Sequence, residues 1–349
     1  MKNYLLPIAL GLITFYLVTG LEPLNGQNIL WLGKGEPLTP YLGWEMFRNS
    51  PWEIPLGLNP RYGLEEISSA IVFSDSIPLL AIVFKVLSPL LPSTFQYFGF
   101  WLLAAFILQA LFAYKIAGLI SDSFLIKSCV VVLVLFFPAM LYRMNVHISL
   151  TGHFLLLWAI YLNFKKKNNA ISWSLLIFLA LGIQFYLFVM VFALWLSNIL
   201  DKLRVLKARE LLLNITLVLA ITYAAAWLFG YLTISSGVSA GQGYGIYQAN
   251  VLSILNPIDW SFFKVHNIYI PKNHEGNNYL GLGLICLVFL STLTLFLKNI
   301  RQEFSQKFSQ HIFLAIMVFA MAIFAFSNNI EIGKISLKIL YYPPSSRHS

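Results

Sequence analysis

Charged residues are scarce in this sequence, and their scarcity decides the class of protein. Only 11% of the 349 residues are Asp, Glu, Lys or Arg, whereas 58% are hydrophobic. Soluble domains carry roughly 25% charged residues, so a soluble globular protein is excluded. Several apolar runs reach the roughly 20 residues that a helix needs to cross a bilayer. They are continuous rather than alternating, which excludes a membrane β-barrel.

Cysteines, nucleotide motifs and metal-ligand spacings are also few or absent. Cys129 and Cys286 lie inside apolar runs and predict no disulfide framework. Neither a P-loop nor a G-x-G-x-x-G motif after a strand is present, which argues against a nucleotide-binding domain. His147 and His153 are six residues apart and do not share a helix face, so no metal site is predicted. No cofactor is assigned, and a divalent cation (Mg²⁺ or Mn²⁺) bound by acids stays open.

The apolar runs predict an all-α integral membrane protein with about nine transmembrane helices. The predicted spans are residues 3–20, 95–119, 128–143, 148–164, 171–184, 186–200, 211–232, 279–297 and 311–328. The first run follows Lys2 and has no small-residue cleavage site after it, so it predicts a retained first span rather than a signal peptide.

Two apolar segments are ambiguous, and the flanking charges decide how each is interpreted. Residues 171–200 lie between KKK (165–167) and DKLRVLKARE (201–210). Because basic segments stay in the cytoplasm, this run is predicted to cross twice, with residues 182–184 at its tip. Residues 77–92 are short and contain Lys85 and three prolines, so they predict a helix at the outer interface rather than a span.

This topology places the N-terminus in the cytoplasm and one transmembrane domain over residues 1–328. Its large outer loops are residues 21–94 and 233–278, and a short outer turn lies near residues 143–148. Residues 329–349 are expected to be a short outer tail, either a truncated C-terminal region or a disordered end. The net charge of +9 gathers beside apolar runs on the cytoplasmic side. That placement is typical of membrane orientation, and no nucleic-acid partner is predicted.

Two acids of the first outer loop are candidate catalytic bases. Glu45 lies in GWEMFRNSPW, where it could pair with Arg48 three residues on and where Trp44, Phe47 and Trp52 suit either lipid headgroups or a sugar ring. Asp75 lies in SSAIVFSDSIPLL, immediately before the interfacial run, at the edge of low dielectric. It could serve as a base, bind a cation, or only cap the following helix.

The outer segments also contain candidate substrate-binding residues. Arg143 and His147, in LYRMNVHISLTGHF, could bind a phosphate, because a guanidinium matches phosphate oxygens in a bidentate way. Snorkelling to headgroups is the alternative for Arg143. The Gly-rich segment GQGYGIYQANVLSILNP resembles a phosphate cradle only superficially. The remaining candidates are His153, Glu275, Arg48, Tyr62, Tyr244 and Asn250.

One N-terminal span, an acidic outer loop, an interfacial segment and many spans together resemble the GT-C glycosyltransferases. The segments GWEMFRNSPWEIPLGLNPRYGLE, SSAIVFSDSIPLL, FQYFGFWLL and NYLGLG are similar to a poorly characterised family of bacterial GT-C-like membrane proteins. The resemblance covers most of residues 1–328. No Asp-Glu or Asp-x-Asp pair follows the first span, so the catalytic role falls on either Glu45 or Asp75.

The resemblance implies transfer of a sugar from a polyprenyl-phosphate donor to a glycan, lipid or protein acceptor. The reaction would occur on the extracytoplasmic face of the bacterial cytoplasmic membrane, with the donor and the membrane lipids as partners. Two alternatives stay open: a lipid or polysaccharide transporter or flippase, and a non-catalytic truncated homologue. A transporter would have ionisable residues at the bilayer midplane and two matched halves. The predicted spans contain few ionisable residues, and the sequence shows no duplicated halves.

Overall fold

A computed structural model describes residues 4–33, 38–60, 69–165, 169–203, 205–233, 249–257, 261, 276, 278–327 and 329–338. The helices are α1 (Leu5–Thr19), α2 (Leu38–Arg48), α3 (Pro78–Leu87), α4 (Phe98–Ala117), α5 (Phe124–Leu135), α6 (Pro138–Arg143), α7 (Phe154–Phe164), α8 (Ala170–Ile183), α9 (Phe185–Lys202), α10 (Ala208–Phe229), α11 (Leu282–Thr294), α12 (Lys298–Gln310) and α13 (Ile312–Ala325). Two strands follow, β1 (Asn329–Ile332) and β2 (Ile335–Lys338). The chain divides into a first unit, residues 1–136 with 140–238, and a second unit, residues 137–139 with 239–349.

Most helices overlap the predicted apolar runs, whereas α2 and α12 lie in segments predicted as loops, and the protein is a mostly helical membrane protein. Nine spans are not confirmed. Within the described residues, four helical segments are long and apolar enough to cross a membrane, and a fifth is added if the bent pair α11–α12 is one span. The four are Phe98–Ala117, Phe124–Arg143, Phe185–Lys202 and Ala208–Phe229. The other apolar helices are shorter because polar or turn residues end them before they reach the roughly 30 Å of a bilayer core.

Helix α4 is the centre of the first unit, and α10 lies at its edge. Half of the apolar window of α4 is buried, compared with 17% for α10. Helix α1 packs closely on α4, because a Cβ at Gly11 would lie 2.9 Å from the Cα of Ile107. Side chains that α10 leaves exposed include Leu212, Leu213 and Tyr223. An apolar helix with so little protein cover is suited to face lipid.

Residues 171–200 reverse direction once, as the predicted double crossing requires. Lys202, at the end of α9, donates a hydrogen bond of 2.9 Å to the carbonyl of Lys165, just before α8. The two ends of the segment therefore meet, and the chain reverses at Gln184, the residue between α8 and α9. Gln184 lies within the predicted tip, residues 182–184.

Basic side chains gather at one end of the first unit. The Nζ atom of Lys115 is 6.0 Å from the ring centre of Tyr4 and 5.9 Å from that of Tyr161. Lys165 lies 4.8 Å from the Tyr161 ring. Helices α8 and α9 have their opposite ends at Gln184. The unit is therefore polarised along its helices, as the positive-inside pattern predicts.

The first loop folds onto α4 through α2 and α3. Trp44 and Phe47 are fully buried, and the indole of Trp44 donates a 2.8 Å hydrogen bond to the carbonyl of Phe95. The prediction that these two side chains form a headgroup or sugar-stacking surface is therefore wrong, because they are needed to anchor α2. Trp52, which is 48% exposed, is the part of that surface left open.

The second unit contains the β-hairpin, which the sequence did not predict. Strands β1 and β2 pair antiparallel, with Ile332 opposite Ile335, and Gly333 in the turn has a φ of 60°. Asn250 stabilises this turn, since its side chain accepts from the Gly333 amide at 3.1 Å and donates to the Gly333 carbonyl at 3.0 Å. Residues 329–338 are thus an ordered hairpin rather than a disordered tail.

Candidate functional site

The backbone around Asp75 adopts an uncommon conformation. A 3-10 turn (Ile71–Ser74) leads into Asp75 at a φ of 58°, and Ile77 has a φ of 53°. Left-handed backbone is costly for residues with a Cβ, most of all for a β-branched one, and such residues cluster at functional sites. Asp75 makes no side-chain cap on α3, whose N-cap is Ile77. The capping explanation for Asp75 is therefore wrong.

Buried serines on either side hold the Asp75 turn in place. The hydroxyl of Ser76 donates to the carbonyl of Pro40 at 2.6 Å, and Tyr97 donates to the carbonyl of Ser76. Ser74 packs against Gly43 of α2, where an added Cβ would lie 2.2 Å from the Cβ of Ser74. The turn is thus pinned from α2 and α4, which leaves the Asp75 side chain to project away from them.

Two segments distant in sequence, residues 147–149 and Gln184, meet at the Asp75 carboxylate. Its Oδ1 accepts hydrogen bonds from the hydroxyl of Ser149, at 2.5 Å, and from the side-chain amide of Gln184. Gln184 also donates to Ser149 at 3.3 Å. Nδ1 of His147 lies 3.6 Å from Oδ2, the other carboxylate oxygen. Two neutral donors therefore hold one oxygen, and the second oxygen faces the imidazole.

The partners of Asp75 lie where helices stop. Gln184 separates α8 from α9 in an extended conformation, and its Oε1 accepts from the Phe185 amide. His147 and Ser149 belong to the turn between α6 and α7. Helices α3 and α9 both begin beside the carboxylate, and helix N-termini favour negative charge.

Tyr231, just after α10, lies close enough to Asp75 for the carboxylate to act electrostatically on its hydroxyl. Its hydroxyl donates to the carbonyl of Leu181 at 3.1 Å, and its ring lies 5.6 Å from that of Phe185. Burial and then the negative charge of Asp75 raise the pKa of Tyr231 well above its ordinary value. Tyr231 therefore stays a neutral hydroxyl at any physiological pH.

Arg143 and His153 lie together in the same region of the chain. Arg143 ends α6, and its charge acts on the imidazole of His153, the residue before α7. Nη1 of Arg143 is buried and has no hydrogen-bond partner among the described residues. A buried guanidinium donor without a partner is unusual in a folded protein, and it is available to an anionic ligand.

An apolar cavity of about 360 Å³ lies among α3, α4, α7 and α8. Its walls include Leu79, Phe84, Trp101, Phe154, Trp158 and Ile183. Ile183 directly precedes Gln184, and Leu79 lies in the first turn of α3, four residues after Asp75. Trp101 connects the wall to the site, since its indole donates to the carbonyl of Ile148 at 2.9 Å. Asp75 and its partners thus lie beside the apolar cavity.

Glu45, the rival base, has local partners. Its carboxylate lies 3.9 Å from Arg48, which confirms the predicted pair. Burial raises its pKa, and Arg48, Tyr41 and Asn49 oppose that shift more weakly. Burial and Glu45 in turn raise the pKa of Tyr41 to about 12. Glu45 is therefore a half-buried acid within one helix.

The guanidinium of Arg48 donates its hydrogen bonds to other residues of the chain rather than facing an open site. Nη1 donates to the Ser93 carbonyl at 2.9 Å, Nη2 to the Pro92 carbonyl at 2.8 Å, and Nε to the Ser88 hydroxyl at 3.1 Å. These contacts fasten α2 to the segment after α3. The structure thus gives Arg48 an anchoring role, and its substrate-binding role stays a prediction.

The other sequence candidates are not joined to the Asp75 cluster by any described contact. Asn250 binds the hairpin turn of the second unit, as described above. Tyr62, Tyr244 and Glu275 lie outside the described residues. In the part of the chain that is described, no three His, Cys, Asp or Glu side chains could hold a metal ion.

Sequence reasoning did not single out Ser149, Tyr231 or, as a site residue, Gln184. Gln184 carried the only available signal, a polar residue at the predicted tip of a helical hairpin. Ser149 and Tyr231 are ordinary residues in their local sequence. Their roles depend on contacts with residues that are 74 positions away for Ser149 and 50 for Tyr231.

These residues define a site around one partly buried acid, Asp75, beside an apolar cavity of the first unit. The chain belongs to the family described as Domain of unknown function (DUF6311), whose profile matches residues 8–348. No curated protein and no solved structure matches the chain. The family description names no activity, so the function is argued from the site.

Proposed function

We propose that the protein is a membrane glycosyltransferase that moves a sugar from a polyprenyl-phosphate donor to an acceptor hydroxyl. The observation that carries the proposal is the Asp75 carboxylate, which lies on a left-handed turn beside an apolar cavity and accepts hydrogen bonds from Ser149 and Gln184, two residues from distant segments. A lipid-linked sugar has both properties that this site matches, an anionic phosphate at the membrane surface and a long apolar chain.

Asp75 is the proposed general base. The acceptor oxygen attacks the anomeric carbon and loses its proton to Oδ2 of Asp75, while the bond between the sugar and the phosphate oxygen breaks. The leaving group is the polyprenyl phosphate. Ser149 and Gln184 hold Oδ1, which keeps the carboxylate aimed at the acceptor. Removing a positioned general base typically costs 10²–10⁴-fold in rate.

The donor phosphate is proposed to bind Arg143 and His147, and the polyprenyl chain to enter the cavity. The unpartnered Nη1 of Arg143 supports this placement, because a guanidinium pairs well with phosphate oxygens. His147 lies beside the proposed base, with Nδ1 3.6 Å from Oδ2 of Asp75. The cavity walls carry aromatic and aliphatic side chains suited to an isoprenoid chain.

The active face is proposed to be extracytoplasmic, in a bacterial cytoplasmic membrane. Lys115, Lys165 and Lys202 lie at the end of the first unit opposite the Gln184 tip. Basic residues at that end favour a cytoplasmic location for it. The Asp75 cluster would then face the compartment where polyprenyl-linked sugars are used.

The test is sugar transfer by purified protein from radiolabelled polyprenyl-phosphate donors, comparing wild type with Asp75→Asn. We expect a loss of about 10²–10⁴-fold. The matched control is Asp122→Asn, since Asp122 is an exposed acid 3.8 Å from Lys127 at the basic end. That variant should keep full turnover.

Two results would contradict the proposal. Turnover by Asp75→Asn equal to that of Asp122→Asn would exclude Asp75 as the base. No transfer by the wild type with any donor sugar or acceptor, in a preparation that translocates the lipid donor across vesicles, would identify a flippase instead.

A further inference from the structure

Helix α12 carries an exposed apolar stripe. Ile300, Phe304 and Phe308 recur every four residues and therefore share one helix face. Their exposed fractions are 39%, 51% and 43%, and the two phenylalanine rings stack 5.7 Å apart. No residue of this fully described helix is buried. Large apolar side chains that recur on one face and remain uncovered indicate an interaction surface.

Basic side chains border this stripe on both sides. At 100° per residue, Arg301 lies at one edge of the stripe and Lys307 at the other, with Lys298 beyond Arg301. The only acid of the helix is Glu303, which pairs with Lys307 at 2.7 Å. The helix is therefore net positive, and its charges surround an apolar face. This pattern is typical of helices that lie in a membrane interface.

The neighbouring helices place α12 at a membrane surface. Helix α11 is apolar and exposes Leu287, Phe289 and Leu290, as a lipid-facing helix does. At residues 295–297 the chain turns by 110°, so α12 runs nearly across the direction of α11. Helix α13, again apolar, begins two residues after α12 ends. Both ends of α12 are therefore tied to segments that belong in the bilayer.

We propose that α12 lies flat in the headgroup layer of the membrane and binds anionic phospholipid there. The apolar stripe enters the acyl boundary, and Arg301 and Lys307 contact lipid phosphates. Charge complementarity selects anionic lipid over a protein groove as the occupant, because the basic side chains border the stripe at headgroup depth. This proposal rests on the second unit alone and is independent of the proposed transferase activity.

Spin labels on the full-length protein, reconstituted in vesicles, test the orientation. In a background with Cys129 and Cys286 replaced by Ser, labels at Phe304→Cys and Phe308→Cys should be relaxed more by oxygen than by a water-soluble nickel complex. Labels at Gln302→Cys and Gln306→Cys, on the opposite face, should show the reverse order. Equal accessibility at both pairs, or exclusion of both relaxing agents at residue 304, would overturn the proposal.

A second arm tests the preference for anionic lipid. The ratio of immersed to mobile spectral components at residue 304 is measured in phosphatidylcholine alone and in phosphatidylcholine mixed with phosphatidylglycerol. Arg301→Gln should lower this ratio about fivefold in the mixed vesicles, the effect of one basic side chain at an anionic surface. In phosphatidylcholine it should change little. An equal effect in both vesicle types would overturn the lipid selectivity.

Discussion

Asp75 and Glu45 are both acids of the segment between α1 and α4. Asp75 lies near the imidazole of His147, and Glu45 lies near the guanidinium of Arg48. Glu45 sits within a regular helix, and Arg48 of that same helix is its partner. Asp75 sits on a left-handed turn, and its partners come from residues 147–149 and from Gln184. One acid is held by its own helix, and the other by the convergence of the fold.

The difference shows how position in a fold separates two acids that look alike in sequence. The basic partner of Glu45 lies on the same helix, and that partner, Arg48, is already bound to the carbonyls of Pro92 and Ser93. Donors at chain breaks can meet at one point from several directions. A carboxylate held in that way keeps its orientation, which a general base requires.

The largest effect that sharpens this comparison is expected from Gln184→Met. The side chain keeps its length but loses the amide that donates to Asp75 and Ser149. A hydrogen bond to a charged group is worth about 1.5–3 kcal/mol, so kcat for sugar transfer should fall about 10- to 100-fold. KM for the donor should not change, because Gln184 is a positioning residue. Steady-state kinetics checks both values.

The control for Gln184→Met is Gln27→Met, at an exposed glutamine of the first loop. It should behave as wild type. A parallel rise of the donor KM in Gln184→Met would place Gln184 in donor binding instead and would weaken the comparison.

An intermediate effect is expected from Arg48→Met, and it acts on stability. The variant loses the hydrogen bonds from Arg48 to the carbonyls of Pro92 and Ser93, which should cost about 1–2 kcal/mol. Thermal unfolding in detergent should show a lower melting temperature, with the donor KM unchanged in the folded fraction. Arg48→Lys should recover only part of the loss, because an ammonium cannot reproduce the guanidinium fork. A raised KM at unchanged stability would instead support the substrate-binding role that the sequence suggested.

The smallest effect is expected from Glu45→Gln, and it depends on pH. Burial raises the pKa of Glu45 above its ordinary value of 4.5, so the folded protein prefers the protonated acid. Any stability that this preference contributes is present below pH 4.5 and is lost as the pH rises through the raised pKa. Glu45→Gln should therefore unfold at the same temperature as wild type near pH 4 and at a slightly higher one near pH 7.5. Sugar transfer should change less than threefold, about the limit of a group outside the chemistry.

A fall in transfer by Glu45→Gln as large as that of Asp75→Asn would reverse the comparison between the two acids. So would a melting temperature below that of wild type at pH 7.5, because the charged carboxylate would then stabilise the fold.

Much of the helical framework could be predicted from the sequence. Apolar runs locate the helices, since a segment without charge has no other place than the membrane or the core. The basic clusters around residues 165 and 202 also predicted the reversal at Gln184 correctly. The Glu45–Arg48 pair was predictable for a simpler reason, because residues three apart on a helix are neighbours.

Side-chain roles in the first loop were harder to predict. Trp44 and Phe47 were expected at the surface and are fully buried, because aromatic side chains near an interface suit either environment. Nine spans are not confirmed because several apolar helices of the described chain are only 10–17 residues long. An apolar segment is suited both to burial in the protein and to contact with lipid, so its composition does not distinguish the two.

By itself, the sequence determined that this chain is a helical membrane protein whose basic residues gather in short clusters beside its apolar runs. Local rules suffice for that, because hydrophobicity and charge act on each segment separately. Only the tertiary structure decided which of the two acids accepts hydrogen bonds from residues that are distant in sequence. Ser149 and Gln184 reach Asp75 across 74 and 109 residues of chain, and contacts at such distances depend on how the helices pack rather than on any local pattern.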